Sequence, residues 1–140
     1  MTQEDKELLL KDLCARVPYK VNALMPDEYG GYTSVIESID IDGFVVDFEG
    51  VPIEIEFIKP CLYPRSSMTE EQEKDIFRNG TFFFDRHNTL CRFPKHNDDC
   101  DYVTFEDYLE ITEKLNKHHI DYRGLIEKGL ALDATNLNIY

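Results

Sequence analysis

Near the N-terminus Leu9, Leu10, Leu13, Cys14 and Val17 recur three and four residues apart, while Glu4, Lys6, Glu7, Lys11 and Asp12 mostly take the other face. That period predicts an amphipathic helix. Thr2 followed by Asp5 is an acidic variant of the capping box that would start it. Pro18 would end it, because the residue before a proline is pushed out of helical geometry. Tyr19 to Met25 then reads as a short strand and Pro26 to Gly31 as a turn-rich loop.

From Tyr32 to Ile58 the pattern alternates with period two, and Asp42-Gly43 and Glu49-Gly50 mark two hairpin turns. Taken as two-residue turns, they set Ile41 opposite Phe44 and Ile39 opposite Val46. They likewise set Phe48 opposite Val51, Val46 opposite Ile53 and Phe44 opposite Ile55, every pair apolar on both sides. The predicted three-stranded meander then turns Ile39, Ile41, Phe44, Val46, Ile53, Ile55 and Phe57 inward. Asp40, Asp42, Asp47, Glu54 and Glu56 face outward, since strand side chains alternate. Asp47 would lie diagonal to Asp40 and Glu54, about 7–8 Å from each.

Further along, Ser67 with Glu70 and Thr69 with Gln72 stand at capping-box spacing and open a short polar helix that stops near Asn79-Gly80. Thr81 to Phe84 is a strand candidate for pairing with Leu90 to Phe93. Thr104 with Asp107 opens a third helix carrying Phe105, Tyr108, Leu109, Thr112 and Leu115. Asp121 is expected to cap a last helical piece over Tyr122 to Lys128, with Gly129 as its terminator. The pattern predicts one α+β domain over residues 1–140: an antiparallel meander, or a small SH3-like barrel, packed with three to four short helices.

Charge narrows the function classes. Twenty-eight acidic residues against 15 basic ones leave −13, which argues against bulk nucleic-acid binding and against adsorption to an anionic membrane. No apolar run approaches the ~20 residues of a membrane span. Met1-Thr-Gln-Glu-Asp5 lacks the basic start and apolar stretch of a secretory signal, so the expected address is cytoplasmic. Cys14, Cys61, Cys91 and Cys100 form no C-x-x-C pair and are expected to be free thiols.

The acidity is local. Residues 35–58 hold seven acids and no base, and residues 98–113 hold seven more with no base. Residues 114–128 carry four bases against two acids and are a natural complement to them. The outward row Asp40, Asp47 and Glu54 reads as a solvated sheet face, as a docking surface for a partner with a basic surface or a mimic of nucleic-acid charge, or as a calcium or magnesium site, which a spread row suits least.

Candidate chemistry is sparse. His87, Cys91, His96 and Cys100 could be drawn as a zinc set, but their spacing matches no standard template. Asp85 and His87 with Asp98, Asp99 and Asp101 could serve a small metal-dependent nuclease or hydrolase. The plainer reading is a polar loop of local Asp and Asn turns. His118 and His119 end the third helix, where imidazolium would complement the dipole. There is no phosphate-binding glycine loop, no G-x-S-x-G and no H-E-x-x-H. No cofactor or resident metal is implied, and no catalytic residue.

The run Asn116-Lys-His-His-Ile-Asp-Tyr-Arg-Gly-Leu-Ile-Glu-Lys-Gly-Leu-Ala-Leu-Asp-Ala134, with Leu8-Leu-Leu-Lys-Asp-Leu-Cys-Ala-Arg16 and Leu62-Tyr-Pro-Arg-Ser-Ser-Met-Thr-Glu-Glu71, resembles a family of small uncharacterised proteins. That family occurs in gut anaerobes of the Bacteroides type and in their phages and mobile elements. Leu115 stands where the family usually has an aromatic. The resemblance implies no activity. Read on their own, Tyr122, Leu125, Ile126 and Leu130 would dock this segment on the sheet, while Arg123 lies exposed or pairs with a carboxylate.

The expected function is that of a non-enzymatic cytoplasmic interaction or accessory protein, encoded by a phage or mobile element. Asp40, Asp47, Glu54, His119, Tyr122 and Arg123 are the candidate contact residues. The alternative is the metal-dependent enzyme of the Asp85/His87 and Asp98–Asp101 region.

Overall fold

Helix α1 (Gln3–Arg16) begins where its capping box closes: the Asp5 N–H donates to Thr2 Oγ1 (3.1 Å) and the Thr2 N–H to Asp5 Oδ2 (3.2 Å). In this computed structural model, residues 1–40, 42–47, 49–93 and 103–140 are described. Strands β1 (Asn22–Leu24), β2 (Thr33–Ile39), β3 (Phe44–Asp47), β4 (Pro52–Glu54) and β5 (Lys59–Pro64) follow. The chain then forms α2 (Glu70–Ile76), the β6 (Phe82–Phe84) and β7 (Leu90–Arg92) hairpin, and α3 (Phe105–Lys117). Two short strands end it, β8 (Ile120–Asp121) and β9 (Leu132–Asp133). Of the two candidate caps for α2 it is Thr69, not Ser67, that accepts from the Gln72 N–H, and α3 starts at the predicted Thr104, which accepts from the Asp107 N–H.

The main sheet runs β4-β3-β2-β1-β5-β8, with β9 also on β5. The meander is antiparallel, while β5 pairs in parallel with both β8 and β9. The class is therefore α+β with an open sheet; the barrel alternative does not form. The β6–β7 pair stands apart as its own two-stranded sheet. Among the described residues no helix is long and apolar enough to cross a membrane.

The hairpin register is one residue off the expected one. Asp40 donates its N–H to the Phe44 carbonyl (2.9 Å) and Asp47 to that of Val51 (3.3 Å), so each loop spans three residues rather than two. Ile39 therefore faces Val45, Val45 faces Ile53, and Val46 lies between Ser38 and Pro52. Val45 is fully buried with Ile36 and Ile53; Phe44 and Val46 are only half-buried and Phe57 is exposed. A one-residue shift exchanges the faces of a strand, and here it turns Asp47 inward with Val45. Residues Ile55–Phe57 leave the strand as a single 3-10 turn, so the expected Phe44–Ile55 pair is absent and Phe44 faces Glu54.

The cause lies in the aspartates. Asp40 Oδ1 accepts the N–H groups of Asp42 and Phe44 at 2.9 Å, and Asp47 Oδ1 those of Glu49 and Val51 at 2.9 Å. Gly43 (φ 82°) and Gly50 (φ 83°) supply the left-handed residue that ends such a three-residue loop. Asp85 holds the β6–β7 turn in the same way, through His87 (2.8 Å) and Thr89 (3.0 Å), with Asn88 at φ 57°.

Asp121 follows the pattern at the end of β8, accepting from Arg123 (3.3 Å), Leu125 (3.0 Å) and Ile126 (2.8 Å). The helix expected over Tyr122 to Lys128 does not form. Gly124 sits at φ 75°, which a right-handed helix cannot pass through, and residues 125–130 make one isolated turn closed by the Leu130 N–H on the Leu125 carbonyl (2.9 Å).

Among the described residues two apolar clusters result. One joins Leu9 and Leu13 of α1 to the sheet through Val21, Ile36, Val45, Ile53 and Leu62, with Leu125 and Leu130 beneath. The other joins α2, α3 and the β6–β7 hairpin through Ile76, Phe82, Leu90, Ile111, Leu115 and Tyr122.

Candidate functional site

The candidate residues separate into two places. Asp40 and Glu54 stay at the exposed hairpin end, but Asp47 leaves the acidic face. It is buried, and besides its two turn bonds it accepts the Tyr32 hydroxyl at 2.6 Å. Burial alone would raise its carboxyl; the bonds from Tyr32, Val51, Glu49 and Gly50 outweigh this and hold it below the usual carboxylate range. Tyr32, donating to a carboxylate, is pushed up to about 12. Asp47 is a buried structural anion, and the row Asp40–Asp47–Glu54 is not a surface.

What the hairpin end does present is a groove of about 340 Å³ between α1 and the β3–β4 hairpin. Leu10, Phe44 and Ile55 give it apolar walls, and Glu7, Asp42, Glu54 and Glu56 supply carboxylates. Lys6 bonds Glu56 at 2.8 Å and holds that carboxyl below its ordinary range. Glu37, Asp42, Glu49 and Glu54 have no basic partner among the described residues. The acids of α3 differ: Arg78 holds Asp107 (2.9 Å) and Glu110 (2.6 Å), and Lys114 reaches Glu110 (3.7 Å) and Asp75 (3.4 Å).

His119, Tyr122 and Arg123 come together elsewhere, around an ion pair that hydrophobic spacing concealed. Asp12 and Arg16 lie on the buried stripe of α1 with Leu9 and Leu13, whereas Cys14, expected inside, is exposed. Arg16 Nε donates to Asp12 Oδ2 (2.8 Å), its Nη2 to the Ile120 carbonyl (2.7 Å), and Arg123 Nη1 to Asp12 Oδ1 (2.9 Å). One carboxylate thus serves two guanidiniums. Both lie over the Tyr122 ring, Arg16 at 5.5 Å and Arg123 at 4.7 Å from its centroid. Arg123 pairs with Asp12 instead of with either acidic segment.

Burial raises the Tyr122 hydroxyl. His119, at φ 59° just beyond α3, is 8% exposed and stacks on Tyr140 at 3.8 Å. The expected helix-end imidazolium is not what forms there. Burial, then the charges of Arg16 and His118, lower His119 to about 4, which outweighs the helix dipole and leaves the ring neutral at pH 7. Arg16 Nη1, Asn116 Oδ1, Tyr122 Oη and His119 Nδ1 are all buried with no hydrogen-bond partner among the described residues.

The sequence did hold a signal for Asp12 and Arg16. Leu9, Asp12, Leu13 and Arg16 fall at i, i+3, i+4 and i+7, so two opposite charges one turn apart occupy stripe positions. Nothing local marked Tyr32, which reaches Asp47 across the sheet.

In the metal-site alternative, the Asp85 carboxylate is engaged by its own turn, and His87 is exposed with Nε2 accepting from Arg86 Nε (3.2 Å). Cys91 Sγ lies 3.8 Å from Asp85 Oδ2. His96, Asp98, Asp99, Cys100 and Asp101 fall outside the described residues. Among those described, no group of three or more His, Cys, Asp or Glu is placed to hold a metal ion. Comparison with known proteins finds no matching family model, no matching curated protein and no matching solved structure.

Proposed function

We propose that this chain is a non-enzymatic interaction protein that takes a Lys/Arg-rich segment of a partner protein into the groove between α1 and the β3–β4 hairpin. The observation that carries the reading is the groove's composition. Among the described residues, Glu7, Asp42, Glu54 and Glu56 stand with only Lys6 against apolar walls of Leu10, Phe44 and Ile55. Lys and Arg bury their aliphatic stems on apolar surface while the charged head meets carboxylates. Glu54 is the retained contact residue of the acidic row; Asp40 is exposed, but one of its oxygens holds the turn that positions Asp42 and Phe44.

The test is binding of a Lys/Arg-rich peptide against a peptide of equal length with Gln in place of the bases. Wild type is compared with Glu7→Gln/Glu54→Gln at two salt concentrations. The expected result is salt-dependent binding of the basic peptide alone, with the double variant associating more slowly, because long-range attraction acts mainly on encounter. Equal association rates for wild type and variant would overturn the proposal.

A further inference from the structure

A second cleft carries the opposite charge. It has a volume of about 420 Å³, within the roughly 300–1,000 Å³ of small-molecule sites, and opens where α1, the β6–β7 hairpin, α3 and the turn after β8 meet. Phe84, Tyr108 and Tyr122 line it together with Lys11, Arg123 and Asn88, and no carboxylate does so among the described residues. In a chain of net charge −13, this is a local inversion of sign.

The Arg123 charge is anchored from behind the wall. Asp12 is shared by Arg16 and Arg123, so the buried triad keeps one positive charge in excess. That excess is the Arg123 charge already at the cleft wall, and at 13% side-chain exposure it is screened by water less than an exposed one.

The aromatic wall is fixed before any ligand arrives. Tyr122 is held under two guanidiniums and packs nearly parallel to Phe84, centroids 6.0 Å apart at 21°. A rigid wall lowers the ordering cost of binding. Asn88 is oriented as well. Its Oδ1 accepts from Arg65 Nη2 (2.7 Å), which leaves Nδ2 as a donor beside Gly124, where an added Cβ would stand 3.0 Å from it.

From these features we infer that the cleft binds a small planar anion: an aromatic ring packed against Tyr108, which is 40% exposed, beside the Phe84–Tyr122 wall, with its phosphate or carboxylate met by Lys11 and Arg123. The site is independent of the acidic groove, which lies against the hairpin end of α1.

The experiment is titration of the full chain, followed by amide chemical shifts, with four probes. These are adenosine 5′-monophosphate, indole-3-acetate, adenosine and inorganic phosphate. Saturable shifts confined to Lys11, Asn88, Thr89, Tyr108 and Arg123 are expected with the nucleotide if the anion is a phosphate and with the indole acid if it is a carboxylate. Adenosine or phosphate alone should bind at least about tenfold more weakly, since each forfeits one of the two contacts. Lys11→Glu and Tyr108→Ala alter exposed residues outside the core, so they test the site without loss of the fold; each should weaken the preferred probe by about tenfold or more. No saturable shift with either planar anion up to about 10 mM, well above the millimolar range of weak ligands, would overturn the inference. Binding that both variants leave unchanged would do so too.

Discussion

Asp12 and Arg16 sit one turn apart on α1 and form an ion pair of 2.8 Å with both side chains fully buried. Removing one partner of such a pair strands the other, at about 3–5 kcal/mol. The two ends are not equivalent, because Arg123 also bonds Asp12. Asp12→Leu should cost the full amount by leaving two guanidiniums without their carboxylate, whereas Arg16→Met leaves Asp12 paired and should cost less. In urea denaturation the double variant should be more stable than the sum of the single losses predicts. Additive losses would show that the pair is not coupled.

The two hairpin aspartates make the same turn in different surroundings. Asp47→Ala strands a part-buried hydroxyl and two loop N–H groups and should destabilise by about 2–3 kcal/mol, while Asp40→Ala exposes the N–H groups it held to water and should cost about 1 kcal/mol. Tyr32→Phe should remove part of the Asp47 effect, since the two side chains bond each other at 2.6 Å. Thermal melts that rank Asp40→Ala as the more damaging change would contradict this assignment.

Register gives the sharpest contrast. Val45 is fully buried and Val46 only half-buried. Val45→Asp places an unpaired charge in the core and should cost several kcal/mol, about 3 or more, whereas Val46→Asp should cost about 1. The two-residue-turn register predicts the reverse order, so a single pair of melting curves decides between them.

His119 makes stability depend on pH in a defined window. Its folded value is about 4, against an ordinary 6.5. Between these the unfolded chain binds a proton that the folded chain refuses, so stability rises with pH across the window and is lost on acidification. The full effect is on the order of 3 kcal/mol, at about 1.4 kcal/mol for each tenfold change in proton affinity. The lowered carboxyls of Asp47 and Asp107 titrate below this window. Denaturation at pH 7, 6, 5 and 4.5 should therefore show a slope that His119→Asn flattens. An unchanged slope in the variant would assign the effect to other groups.

By itself the sequence determined what depends on neighbours a few residues away. Thr2, Thr69 and Thr104 start α1, α2 and α3 because each hydroxyl meets an N–H three residues on, a contact that needs no tertiary partner. The β6–β7 hairpin and the order of the meander strands were legible for the same reason. The register was written locally as well, in aspartates that bind the N–H groups two and four residues on, but Asp-Gly reads equally as a two-residue turn. Tyr32 then makes the burial of Asp47 tolerable from across the sheet, and no period in the chain marks that contact. Tertiary structure alone decided which charges are interior. A carboxylate on α1 is buried because Arg16 and Arg123 meet it, the second from 111 positions away. β5 takes β8 and β9 as parallel partners because the chain returns to that edge after α3. His119 is neutral because its solvation is removed by Tyr140 and by the core around it, an effect of three-dimensional burial that a helix-end position does not encode.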